Sequence, residues 1–119
     1  MSHVFICYAH KDQDFVEHLV VSLRRSGINV WIDKSGLKPS TPDWEAAVRG
    51  AIEDAQAVLL VASPDSQRSL YVRDELTIAR QKGKPIYPVW ASGKDYADCI
   101  PIGHGSTQFV DLRGFCWRA

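Results

Sequence analysis

Ala57-Val58-Leu59-Leu60-Val61-Ala62 is an unbroken apolar run, closed by Ser63-Pro64-Asp65. A short run with no polar alternation reads as a strand buried on both faces, which belongs in the middle of a parallel sheet. Such a strand needs helices above and below it, and the flanking sequence supplies them. Upstream, Thr41-Pro42-Asp43 combines a cap, a first-turn Pro and an acid. Behind it Trp44, Ala47, Val48, Ala51, Ile52 and Ala55 recur at helical spacing and form the expected inner face. Downstream, residues 63–69 read as a loop. The stretch Leu70-Tyr71-Val72-Arg73-Asp74-Glu75-Leu76-Thr77-Ile78-Ala79 then reads as a helix that stops at Lys82-Gly83-Lys84-Pro85. Val72, Leu76 and Ala79 make one stripe on it. Tyr71, Glu75 and Ile78 make a second beside the first, so the Tyr71 ring and the Glu75 carboxylate share a face. That pair admits two readings. It can hold a flat base and grip sugar hydroxyls, or it is a solvated acid beside a half-buried ring.

The rest of the chain repeats the alternation. Val4-Phe5-Ile6-Cys7-Tyr8 is a second continuous apolar run, followed by the loop Ala9-His10-Lys11-Asp12. Asp12 is the expected N-cap of a helix with Asp14 in its first turn, Phe15, Leu19, Val20 and Leu23 on its inner side, and Gly27 after its end. Residues 28–32 read as a strand and residues 33–40 as a polar loop. Ile86-Tyr87-Pro88-Val89-Trp90 is a further strand, which Pro88 makes irregular or places near an edge. Residues 91–106 are loop-like, with at most a short helix near Tyr96, and residues 108–112 form a short fifth strand.

Strands alternating with helices imply an α/β, three-layer sandwich with a five-stranded parallel sheet and helices on both faces. Right-handed crossovers bring the loops after the strands to one edge. In the flavodoxin-like order 2-1-3-4-5 the ligand crevice opens there, between the first and third strands, and Tyr71 and Glu75 flank it.

Composition narrows the function. A chain of 119 residues with zero formal net charge is one domain with no basic footprint for nucleic acid or an anionic membrane. No apolar run approaches the ~20 residues of a membrane span. The start, Met1-Ser2-His3-Val4, lacks the basic flank of a signal peptide. Cys7, Cys99 and Cys116 are an odd set without a CxxC pair, which fits a reducing compartment, so the expected location is the cytoplasm. The glycine-rich signatures of dinucleotide-binding Rossmann domains and P-loop NTPases are absent. A response-regulator receiver has the same strand order but needs a phosphoacceptor Asp after the third strand, where this chain has Ala62-Ser63-Pro64.

Five segments together resemble one family, the TIR (Toll/interleukin-1 receptor) domains. Val4 to Asp12 resembles their opening strand and loop. Val30-Trp31-Ile32-Asp33 with the loop to Pro39 resembles their second strand and BB loop, and Ala57 to Ser63 their third strand. Tyr71-Val72-Arg73-Asp74-Glu75-Leu76 resembles their aromatic-x-x-x-Glu segment, with Tyr where Trp is commonest, and Lys84 to Val89 resembles their fourth strand. The resemblance runs from about His3 to Leu112. It implies the flavodoxin-like fold and one of two activities. Many bacterial and plant members, and one animal type, cleave NAD+ at the nicotinamide–ribose bond. Others are scaffolds that act through TIR–TIR contacts.

The enzyme reading implies Glu75 as the catalytic residue and Tyr71 as its aromatic partner. It implies that Ala9, His10 and Lys11 after the first strand, and Asp33, Leu37 and Lys38 of the BB loop, line the nucleotide cleft, with a hydroxyl contact from Ser63. NAD+ is then substrate, and neither cofactor nor metal is required. The expected products are nicotinamide with ADP-ribose or a cyclic isomer, and the expected role is antiphage or other immune-type signalling or NAD depletion. The partners implied are other TIR domains, in a homo-oligomer with the BB loop (33–40) at the interface. Family members usually end in a helix after the fifth strand. With Phe115 and Trp117 so near Ala119, residues 1–119 are expected to be the N-terminal domain of a longer protein, lacking that last helix.

Overall fold

A computed structural model describes residues 2–32, 42–101 and 108–115. Five parallel strands stand in the order 2-1-3-4-5: β1 His3–Cys7, β2 Val30–Trp31, β3 Ala55–Ala62, β4 Ile86–Trp90 and β5 Val110–Asp111. The helices are α1 Gln13–Arg25, α2 Pro42–Glu53, α3 Pro64–Arg68 and α4 Leu70–Gln81, with 3-10 turns at His10–Asp12 and Tyr96–Asp98. The fold class and strand order are those expected.

Strand parity sorts the core into two layers. Phe5, Cys7 and Ala9 pack with Val58, Leu60 and Ala62 against α2 and α4, through Trp44, Val48, Ile52, Val72 and Leu76. Val4, Ile6 and Val61 face the other way, against Val16, Leu19 and Val20 of α1. Phe5, Ile6, Val58, Leu60 and Val61 are at most 1% exposed, the two-sided burial that their unbroken apolar runs predict. Phe5 also stacks on Trp31 with ring centroids 4.9 Å apart, which ties the short β2 to β1.

Several elements differ in extent from the sequence expectation. β2 keeps two residues of the expected five, Val30 and Trp31, each paired to β1. Ala55, expected on the inner face of α2, opens β3 opposite His3, and Ala47 is exposed. Residues 63–69 are not a plain loop, because they hold α3. Ser63 accepts a hydrogen bond from the Ser66 N–H at 3.1 Å and its own N–H donates to Ser66 Oγ at 2.9 Å, a reciprocal cap, and Pro64 follows at the first helical position.

Pro88 sits in a strand with neighbours on both sides, yet its missing N–H disturbs nothing. Pro85 and Ala91 hydrogen-bond to β3, and Trp90 bonds to Leu112 beside β5. Alternation therefore turns Pro88 toward β5, which pairs with β4 only from Val89 onward. Beyond β4, Tyr96 stacks on Phe109 at 3.8 Å, and the Arg113 guanidinium lies over the Trp90 ring at 3.3 Å.

Two glycines separate backbone strain from crowding. Gly83 ends α4 with φ +68° and open space where a Cβ would stand. Gly93 has φ +107°, and a Cβ there would stand 2.4 Å from Cys99 Sγ and 3.3 Å from the Pro64 ring. Gly83→Ala should cost about 1 kcal/mol of unfolding free energy. Gly93→Ala should cost more than Gly83→Ala, because overlap with a buried thiol adds to the strain. Urea unfolding of the two variants checks the order, and equal losses would show that the Cys99 contact relaxes freely.

Candidate functional site

Because the strands are parallel, the C-terminal ends of β1 and β3 stand side by side, with Cys7 opposite Leu60. The segments leaving them, from Ala9 and from Ser63, start at the same edge. Ser69 starts α4 above this edge, its hydroxyl accepting a hydrogen bond from the Val72 N–H at 3.2 Å. Sequence had already placed Tyr71 and Glu75 on adjoining turns of that helix. The packing now shows which way the face turns.

Glu75 points inward and is 1% exposed. The reading of the pair as a solvated acid beside a ring is therefore overturned. Both stripes of α4 are buried, with Val72, Glu75, Leu76, Ile78 and Ala79 all inside, because the helix lies deep across the α2 side of the sheet. Cys7, the last residue of β1, reaches up to the same helix. Its Sγ lies 3.7 Å from the Val72 carbonyl oxygen and beside the Glu75 carboxylate, two acceptors for its one proton. Burial pushes the Cys7 thiol well above its ordinary range, and the negative Glu75 carboxylate pushes it the same way. Cys7 is thus a neutral thiol beside an acid.

Tyr71 is half-buried one turn earlier on α4. Its ring meets Trp44 of α2 at 5.2 Å between centroids, tilted by 52°. Trp44 is 2% exposed, so the core indole braces the aromatic partner of the acid. An open groove of about 210 Å³ runs between α2 and α4 past Trp44, Arg49, Asp74 and Gln81, but Glu75 does not line it. The groove and the buried acid are separate features.

The residues after β1 divide. Ala9 is buried and its carbonyl accepts from the Asp12 N–H at 2.9 Å, while His10 and Lys11 stand exposed in the 3-10 turn. Asp12, expected to cap α1 with its side chain, makes no such bond. Its carboxylate instead accepts a hydrogen bond from the Ser63 hydroxyl, across the β1–β3 junction. Ser63 is fully buried and committed both to Asp12 and to the cap of α3. Its partner Ser66 reaches the Cys99 carbonyl at 3.1 Å. The structure thus brings together Glu75, Tyr71, Ala9 and Ser63 along one edge with His10 and Lys11 at its rim. Asp33, Leu37 and Lys38 lie outside the described residues.

Two contributors escaped the sequence reading. Sequence shows Cys7 only as part of an apolar run, and Asp12 only as a local cap. Parity with Phe5 was the available signal for Cys7. No local signal pointed Asp12 at Ser63. Among the described residues, no three His, Cys, Asp or Glu side chains gather closely enough to hold a metal ion, and no helix is long and apolar enough to cross a membrane.

With this geometry in view, the family is plain. The family model described as TIR domain matches residues 4–117, and the chain belongs to that family. Among solved structures it is similar to the TIR domain of the Toll-related receptor TRR-2 of Hydra magnipapillata, at TM-score 0.76 and 24% identity over 93% of this chain and 84% of that one. It is also similar to the TIR domains of the activated Roq1 resistosome, which directly recognises the pathogen effector XopQ, at TM-score 0.64 and 22% identity, covering 79% of this chain and 60% of that one. A third likeness is to a metazoan TIR-STING receptor from C. gigas, at TM-score 0.69 and 23% identity, covering 92% of this chain and only 37% of that receptor. At these identities the likeness is one of fold. No curated protein matches the chain.

The Asp12–Ser63 contact has a pH signature. Burial is the largest influence on Asp12 and raises its pKa, against the lowering effect of the Ser63 hydroxyl. An acid with a raised folded pKa binds more protons folded than unfolded, so its contribution to stability falls as pH rises from the ordinary 3.8 through the folded value. Asp12→Asn keeps an acceptor for Ser63 and removes that titration. Its melting temperature relative to the natural protein should rise as pH increases from the ordinary 3.8 toward neutral. A difference that stays flat or falls would contradict a raised Asp12.

Proposed function

We propose that this TIR domain is an NAD+ glycohydrolase with Glu75 as its catalytic carboxylate. The observation that carries the reading is the burial of Glu75 at the sheet's C-terminal edge, one turn from the half-buried Tyr71. Acids are almost never fully buried without a specific reason, so a buried acid is a functional candidate on physical grounds. The position matches the Glu of the family's aromatic-x-x-x-Glu segment.

The chemistry asks little of the protein. The bond to be broken joins a ribose carbon to a positively charged pyridinium nitrogen. Nicotinamide leaves as a neutral molecule, so no general acid is needed, unlike the two-carboxylate hydrolysis of ordinary glycosides. As the bond lengthens, positive charge grows on the ribose. Glu75 stabilises that charge and accepts hydrogen bonds from the ribose hydroxyls. Water exclusion around a buried carboxylate makes this attraction stronger than it is at a surface. Tyr71 offers a π-face to a base. His10 and Lys11, at the exposed rim, suit the diphosphate, and the loop residues Asp33, Leu37 and Lys38 complete the proposed cleft. Capture of the ribosyl cation by water gives ADP-ribose and one proton; capture by an internal nucleophile gives a cyclic isomer.

Burial also bears on regulation. A carboxylate that is 1% exposed is not open to a ribose until the side chains over it part. Assembly with other TIR domains through the BB loop is the proposed trigger. Receptors and a resistosome that recognises a pathogen effector share the fold, in keeping with an immune-type role. Antiphage defence or NAD depletion in the cytoplasm is the form of that role implied by the family resemblance.

Nicotinamide release from NAD+ should therefore rise faster than linearly with protein concentration. Glu75→Gln should reduce it by about 10²-fold or more at every concentration. Equal release from the variant and the natural protein would remove Glu75 from the mechanism. No release from either, even with enforced oligomerisation, would favour a non-enzymatic scaffold acting through TIR–TIR contacts. Tyr71→Ala should raise KM for NAD+ several-fold, by about 1 kcal/mol of lost stacking, and Tyr71→Trp should restore it.

A further inference from the structure

We propose that Cys7 is a positioning residue for this site: its thiol donates a hydrogen bond to the Glu75 carboxylate and fixes the orientation of that carboxylate above the end of β1. The inference rests on the catalytic reading of Glu75 and adds a second residue to it.

The geometry comes from two elements meeting. Cys7 ends β1, and its side chain lies on the α2–α4 side of the sheet with Phe5 and Ala9. Its Sγ stands 3.7 Å from the carbonyl of Val72 in the first turn of α4. Glu75 follows Val72 by three residues, so its side chain leaves the helix on the same face, over the same point of the strand. Cys7 is 0% and Glu75 1% exposed, so their contact is made away from bulk water.

A carboxylate accepts hydrogen bonds and cannot donate them while ionised, and each oxygen taken out of water needs a donor. An alanine or valine at position 7 would fill the same core and offer none. The thiol fits because it is small enough for a fully packed strand end and still carries an S–H. Burial and the neighbouring negative charge both keep it protonated, which preserves it as a donor and removes it as a nucleophile. A thiolate there would repel Glu75, and a neutral thiol holds it.

Two readouts test this. The first is activity of Cys7→Ala and Cys7→Ser beside Glu75→Gln. Loss of the donor should lower kcat for nicotinamide release by about tenfold in Cys7→Ala, since a hydrogen bond to a charged group is worth roughly one decade of rate. KM should hold within about twofold, because Cys7 does not touch the substrate. Cys7→Ser keeps a donor of similar size and should return kcat to within about threefold of the natural protein. The second readout is thermal unfolding of Cys7→Ala, Glu75→Leu and the double variant. A direct contact makes the double variant's loss of melting temperature smaller than the sum of the two single losses.

An unchanged kcat in Cys7→Ala beside an inactive Glu75→Gln overturns the inference and leaves the NAD+ reading standing. A serine variant as slow as the alanine variant also overturns it. Strictly additive melting losses overturn the contact whether or not the protein releases nicotinamide. If the natural protein releases none, the NAD+ reading fails separately, and non-additive melting supports the contact alone.

Discussion

Parallel pairing of β1 with β3 is the constraint on which the site depends. Cys7 stands opposite Leu60, so the two strands end within a few residues of each other at the same edge. Had they run antiparallel, Ala9 and Ser63 would sit at opposite ends of the sheet. Parallel pairing requires a crossover between the strands, and α1, α2 and α4 lie in the crossovers that lead from β1 to β4, each covering one face. The Asp12–Ser63 hydrogen bond then ties the two exits together. The same geometry that closes the core gathers the polar groups.

Placing an acid in that core is costly. Even after relaxation, an ion taken out of water loses several kcal/mol, against about 5–15 kcal/mol for the stability of a whole domain. The surroundings of Glu75 reduce that loss in ways that do not expose it. On the proposed reading the Cys7 thiol donates to it, while Trp44 and Tyr71, packed on each other, keep the neighbouring turn in place. A surface glutamate on the same helix would serve stability better, and the exposed positions of α4, such as Arg73 and Thr77, were available for one. The inward placement of Glu75 therefore argues for a demand other than folding.

Much of the fold was legible because its signals are local. The unbroken apolar runs of β1 and β3, the cap and Pro ahead of α2, and Gly83 after α4 each act within a few residues. What escaped was set by partners distant in sequence or by elements too short for periodicity. α3 is five residues long and has no stripe to read, although Ser63, Pro64 and Ser66 spelled its cap. The burial of Glu75 was ambiguous because Val72 and Leu76 on one stripe and Ile78 on the other are all apolar. Sequence showed that the stripes adjoin, and only the depth of α4 against the sheet showed that both are inside. Asp12 had the right type and place for a helix cap. A buried serine hydroxyl from another strand was the stronger competitor, and no local pattern records it.

The site also divides by rigidity, and this bears on how such a domain can change. Glu75 is held by a strand end and a packed helix, elements that move only if the core moves. His10 and Lys11 sit at the exposed rim, in a turn anchored to the core through Ala9 and Asp12. Substitutions at the rim alter what is bound without disturbing the acid, whereas substitutions at Cys7, Val72 or Trp44 disturb the acid without touching what is bound. On the proposed reading, catalytic power and substrate choice therefore lie on different parts of the chain. A change of product from ADP-ribose to a cyclic isomer would then require new rim residues around an unchanged Glu75. That separation follows from an acid fixed by core packing, and an acid carried on a loop would not produce it.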